Sequence, residues 1–82
     1  EKYIGYFKNG NYHGYGKMIT VDGDYYEGEF KNDKFDGNGY IRYKDGYLYV
    51  GKFKDGKRNG EGTLYKKMYD GVWENDIRNK VD

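Results

Sequence analysis

A 23-residue interval constrains this chain more than any other feature. Gly5, Gly28 and Gly51 keep it, as do Tyr3, Tyr26 and Tyr49, and Phe7, Phe30 and Phe53. The pairs Gly14/Gly16, Gly37/Gly39 and Gly60/Gly62 follow in register, and Asp22-Gly23 matches Asp45-Gly46. A fourth unit opens at Tyr69, Gly71 and Trp73 after a shorter step of 20, the missing residues falling where an Asp-Gly pair would stand. Recurrence at such a period marks an array of one supersecondary unit.

Each unit reads as strand, turn, strand. In Tyr26-Glu27-Gly28-Glu29-Phe30-Lys31 the residues alternate, with Tyr, Gly and Phe on one face and charges on the other. Gly37, Gly39 and Ile41 continue that face along the next strand, and Met18 and Leu64 occupy the same lane as Ile41. Of the 14 glycines, those outside the repeated lanes sit in Asn-Gly or Asp-Gly pairs (Gly10, Gly23, Gly46, Gly56), which suit hairpin turns because glycine accepts positive φ. Asp33 replaces the turn glycine of the second unit, a place where Asn-Asp can still turn. The intervals are too short and too rich in turns for helices. Glycines at Gly5, Gly14, Gly16, Gly28, Gly37, Gly39, Gly51, Gly60, Gly62 and Gly71 are expected to leave grooves in which neighbouring rings lie flat. The pattern predicts an all-β fold: an elongated, single-layer antiparallel meander or solenoid of consecutive hairpins, with about seven strands.

Tyr26-Glu-Gly-Glu-Phe30, followed by Gly37-Asn-Gly39 and Asp45-Gly46, resembles the MORN (membrane occupation and recognition nexus) repeat. Residues 3–25, 26–48 and 49–68 carry the likeness, and residues 69–82 form a partial unit in which Lys80 and Asp82 stand where the glycine pair belongs. The expected domain is therefore one array over residues 1–82, read as part of a longer array or as its end. The resemblance implies scaffolds associated with the cytoskeleton or with membranes, a cytoplasmic setting, and partner helices bound in a groove of the array. It also implies possible contact with anionic phospholipid.

The residues support a binding module by their own chemistry. Aliphatic side chains are scarce while 21% of residues are aromatic, so rings must supply the core. One layer of sheet leaves the ring face uncovered, and an apolar strip of that kind suits an amphipathic helix. The expected groove comprises Tyr3, Phe7, Met18, Tyr26, Phe30, Ile41, Tyr49, Phe53, Leu64, Tyr69 and Trp73, with the plain core reading of the same lane favoured for its buried atoms. On the other face, Ile4, Tyr6, Tyr25, Leu48, Val50, Met68 and Val72 could pack copies together, although scattered surface apolar residues are common. The first strand begins almost at residue 1 and leaves an open edge, which invites pairing. Homo-oligomerisation is thus a further expectation.

Lys8, Lys31 and Lys54 recur at one repeat position, with Lys57 and Arg58 nearby, and a periodic basic rim could meet anionic headgroups. Interspersed carboxylates favour the simpler view that these lysines solubilise strand ends. Net charge is +1, which gives little electrostatic drive toward nucleic acid. Choline- and glucan-binding repeats need recurrent tryptophans, and Trp73 stands alone.

Catalytic chemistry finds little footing. Serine and cysteine are absent, so only Thr20 or Thr63 could pair with the single histidine. His13 occupies the position of Asp36, Asn59 and Asn79 in the other units, which points to a side chain bracing the hairpin turn. Asp22-Gly23-Asp24 fails as an EF-hand loop because Glu27 and Asp33 occupy its sixth and twelfth positions. Gly14-Tyr15-Gly16 lacks the helix a phosphate loop requires. No enzyme activity, cofactor or metal is expected.

Overall fold

A computed structural model describes residues 1–69 and 72–75, including Met68 and Tyr69 by backbone alone. Seven strands form one open antiparallel sheet in chain order: β1 (Lys2–Lys8), β2 (Asn11–Ile19), β3 (Tyr25–Lys31), β4 (Lys34–Arg42), β5 (Tyr47–Lys54), β6 (Lys57–Tyr69) and β7 (Val72–Asn75). It measures 40 × 25 × 17 Å, the elongated meander that the repeat requires.

The hairpins β1–β2, β3–β4 and β5–β6 turn through Asn9-Gly10, Asn32-Asp33 and Asp55-Gly56, and every one of these residues has positive φ. That is the type I′ signature, whose twist matches the strands it joins. Asp33 takes this conformation at φ 70° and uses it. Its N–H donates to Tyr12 O at 3.1 Å and its Oδ1 accepts from Tyr12 N–H at 2.8 Å, tying the second unit to the first. Gly56 N–H donates to Phe35 O in the same way at 2.9 Å. At the opposite edge Lys44 N–H donates to Asp24 Oδ1 at 2.9 Å, and Lys67 N–H to Gly46 O at 2.8 Å.

Strict alternation is broken once in each hairpin. Gly5 faces Gly16 but Phe7 faces Tyr12, so Tyr6 alone stands opposite three residues, His13 to Tyr15. The same bulge recurs opposite Glu29 and opposite Lys52. Gly14, Gly37 and Gly60 lie inside these bulges at φ 81°, 102° and 77°. They are therefore bulge glycines, not places where rings lie. His13, Asp36 and Asn59 likewise belong to the bulges and not to the turns; Asn79 lies outside the described residues.

The remaining lane glycines meet face to face across six strands: Gly5–Gly16–Gly28–Gly39–Gly51–Gly62. Along this row the backbones approach too closely for a Cβ. One built on Gly28 would fall 2.5 Å from the Gly39 Cα. Gly71 lies outside the described residues, as do Lys80 and Asp82.

β7 departs from the repeat register. Trp73 faces Lys67 and Asn75 faces Tyr65. Facing residues share a side and side chains alternate along a strand, so Trp73 lies on the opposite face from Leu64, outside the lane. The shortened spacer after Leu64 is responsible: β6 runs on to Tyr69, and the next strand pairs with that extension.

Candidate functional site

The ring face is built by one device used three times. Tyr3, Tyr26 and Tyr49 lie over the glycine rows, and a Cβ on Gly39 would fall 2.5 Å from the Tyr26 hydroxyl oxygen. Each hydroxyl donates to the carbonyl of the residue facing a bulge: Tyr3 to Tyr6 O at 2.6 Å, Tyr26 to Glu29 O at 2.7 Å, and Tyr49 to Lys52 O at 2.8 Å. The bulge widens the ladder beside these carbonyls, and a phenol supplies the donor that a buried acceptor needs. Burial raises the pKa of Tyr26 above the ordinary phenol range, and it raises that of Tyr49 against the lowering effects of the Lys52 carbonyl contact and the Arg58 charge.

A second lane at the same interval was missed by sequence reasoning. Tyr12 stacks on Tyr3 with ring centres 3.9 Å apart, and Phe35 stacks on Tyr26 at 3.8 Å. In the third unit the equivalent residue is Arg58, whose guanidinium carbon sits 5.6 Å from the Tyr49 ring centre and 5.9 Å from that of Tyr43. The interval Tyr12/Phe35/Arg58 was present in the sequence; the change of residue type hid it. Rings of one unit then meet the next edge-on. Phe30 receives Tyr3 and Tyr12, and Phe53 receives Tyr26 and Phe35. Edge-on contacts at these distances suit the ring quadrupoles.

Most of the expected groove is core. Met18, Tyr26, Phe30, Ile41, Tyr49, Phe53 and Leu64 form one buried cluster, with Tyr26 and Tyr49 fully inaccessible. Tyr3 is half-buried against it. Phe7 is 61% exposed where Phe30 is 3%, because no described strand lies before β1 to cover it. The Tyr69 side chain falls outside the described residues. Two hollows open above the core on this face. One, of about 300 Å³, is lined by Tyr43, Asp45, Tyr47, Arg58 and Leu64. The other, of about 380 Å³, is floored by Phe35, Ile41 and Phe53 between Asp22 and Asp24 on one side and Lys57 and Arg58 on the other.

The basic residues divide. Lys8, Lys31, Lys54 and Lys57 are exposed at the ends of β1, β3, β5 and β6, so the meander brings them to one edge beside the three hairpin turns. Arg58 leaves that rim and lies on the rings. On the reverse face, Tyr15, Tyr25 and Tyr40 all donate to the Glu27 carboxylate, the latter two at 3.0 and 2.9 Å. These phenols, with Lys17 assisting, hold Glu27 below the usual carboxylate range. Ile4, Tyr6, Tyr15, Ile19 and Val50 are exposed apolar residues of that face. Tyr25 and Leu48 are only partly exposed, and Met68 is described by its backbone alone.

Compared with known families, the chain matches the MORN repeat over residues 3–25, 26–46, 49–67 and 69–79. It belongs to the MORN repeat family. No curated protein matches it as a relative. MORN repeats are in general interaction or membrane-binding modules, and the repeat itself is non-catalytic. The geometry of this MORN array explains why its signature is so regular: Tyr, Gly, Gly and Phe are parts of one ring-on-glycine joint. Among the described residues no His, Asp and Glu cluster could hold a metal, and no helix is long and apolar enough to cross a membrane.

Proposed function

We propose that this array holds a protein partner, an amphipathic helical segment, in the hollows above its ring layer. The observation that supports this is the floor of Phe35, Ile41 and Phe53, open between two charged rims on a face that no second layer covers among the described residues. An apolar stripe on a helix would bury there against Tyr43 and Tyr47, while the seven core side chains stay in place. The reading is that of a scaffold module, cytoplasmic and associated with the cytoskeleton or a membrane. It is tested by titrating the chain with a synthetic amphipathic helix bearing a leucine stripe and following backbone NMR shifts. Shifts at Phe35, Tyr43, Tyr47 and Arg58 are expected. Shifts confined to the reverse face, or none, would overturn it.

A second reading is favoured by the row of Lys8, Lys31, Lys54 and Lys57 along one edge: attachment to an anionic lipid surface, each basic residue contributing about 1 kcal/mol near such a surface. Co-sedimentation with phosphatidylserine vesicles should then fall with salt and with Lys31→Glu and Lys54→Glu. Binding indifferent to anionic lipid and to salt removes this reading.

A further inference from the structure

The stacking lane changes chemistry at one place. Packing asks for a flat ring on each lane tyrosine, and Tyr12 and Phe35 provide it. In the third unit a guanidinium lies there instead. A cation can rest over a ring, and here it brings a charge to a position where the other two units bring none. Arg58 is solvent-exposed, and among the described residues no hydrogen bond or ion pair engages it. It also borders both hollows, with Leu64 in one and Ile41 in the other.

We infer that Arg58 is the anchor for a single carboxylate side chain of the partner, with apolar side chains seated in the hollows on either side. This rests on the groove reading above and adds the identity of the residue recognised. A guanidinium resting over Tyr49 and beside Tyr43 can pair in bidentate fashion with Asp or Glu while keeping these ring contacts. Asp45 lines one hollow with Arg58, and Asp22 and Asp24 line the other. Every additional negative charge on a ligand would meet these carboxylates. The chemistry that fits is one acid between apolar neighbours on a helix face, and not a phosphate group or an acidic tract.

The test uses the 82-residue chain and three synthetic helices that share a leucine stripe and differ at one central residue, Glu, Gln or Lys, with binding read by fluorescence anisotropy. The Glu peptide should bind about tenfold more tightly than the Gln peptide, the gain of a charge-assisted pair over a neutral one, and the Lys peptide most weakly. Arg58→Met should erase the preference for Glu over Gln, and Arg58→Lys should keep only part of it. Equal affinity of the Glu and Gln peptides for the unaltered chain would overturn the inference and leave the groove reading standing. Binding by none of the three would overturn both. Should Arg58→Met fail to fold, the peptide series on the unaltered chain still decides.

Discussion

Gly39→Ala isolates the ring-on-glycine joint. Gly39 has no positive φ, so alanine meets no backbone penalty there, and in a strand interior it should gain about 0.5–1 kcal/mol over glycine. The obstacle is steric: the new Cβ would stand 2.5 Å from the Tyr26 hydroxyl oxygen and 2.8 Å from its Cζ. Tyr26 cannot yield easily. It is fully buried, stacked on Phe35, met edge-on by Phe30 and Phe53, and bonded to Glu29 O. Overpacking of this kind costs about 1–3 kcal/mol, and displacement of the hydroxyl forfeits about 1 kcal/mol more by stranding the carbonyl. The net loss should be about 2–3 kcal/mol, lowering Tm by roughly 10–20 °C for a chain of this length. Gly16→Ala is the internal control. The same clash occurs there with Tyr3, but that ring is only partly buried at the open end of the sheet and can swing aside. Thermal unfolding followed by far-UV circular dichroism compares the two. No loss at Gly39 would refute the claim that the tyrosine ring depends on bare backbone beneath it, and equal losses would refute the freedom of Tyr3 to swing aside.

Asp33→Gly supplies the turn residue used in the other hairpins but removes the acceptor of the Tyr12 N–H; stability should change by no more than about 1 kcal/mol, while the Tyr12 amide exchanges faster. An unchanged Tyr12 exchange rate would count against the tie. Glu27 is held low by three phenols, so it favours the folded state above the ordinary carboxylate range, and that contribution fades as pH falls through its lowered midpoint. A carbon-13 titration should show the low midpoint, moving upward in Tyr15→Phe and Tyr40→Phe; an ordinary midpoint refutes the cluster. At the alkaline end Tyr25 is pushed from 10.0 up to about 12, chiefly by burial and then by its Glu27 contact. Folding keeps that phenol neutral, so its contribution is complete below pH 10 and is lost as pH rises toward 12; phenolate absorbance and loss of β signal should rise together, and ionisation at an ordinary pH with the fold intact would contradict this. The open β1 edge with Phe7 exposed should promote self-association at high concentration, reduced by Phe7→Lys; a monomer in sedimentation under those conditions says otherwise.

The interval read from Tyr3, Tyr26 and Tyr49 was enough to foresee the hairpins, the sheet order and the buried lane, because a repeat that needs glycine under every ring leaves its spacing in the sequence. The bulges were not foreseen. Gly14 and Gly16 look alike as letters, yet one turns the backbone to positive φ and the other makes room for a phenol, and only the register separates them. Most of the side chains named for the groove are buried core, the reading favoured for the buried atoms of that lane. The lane rings are covered by their own neighbours, so what a partner can touch is decided by the residues that lie on top. Those residues vary from unit to unit: Tyr12 and Phe35 stack on their tyrosines, and Arg58 sets its guanidinium over Tyr49. Trp73 was misplaced for a related reason: counting from Tyr69 assumes the standard spacer, and three missing residues are enough to let β6 extend and carry the next strand out of register. In this fold the letters that recur from unit to unit therefore build the support, and on the proposed reading a partner would be discriminated where one side chain replaces another on top of it. That is why the change from ring to guanidinium at Arg58 is the most informative departure in the chain.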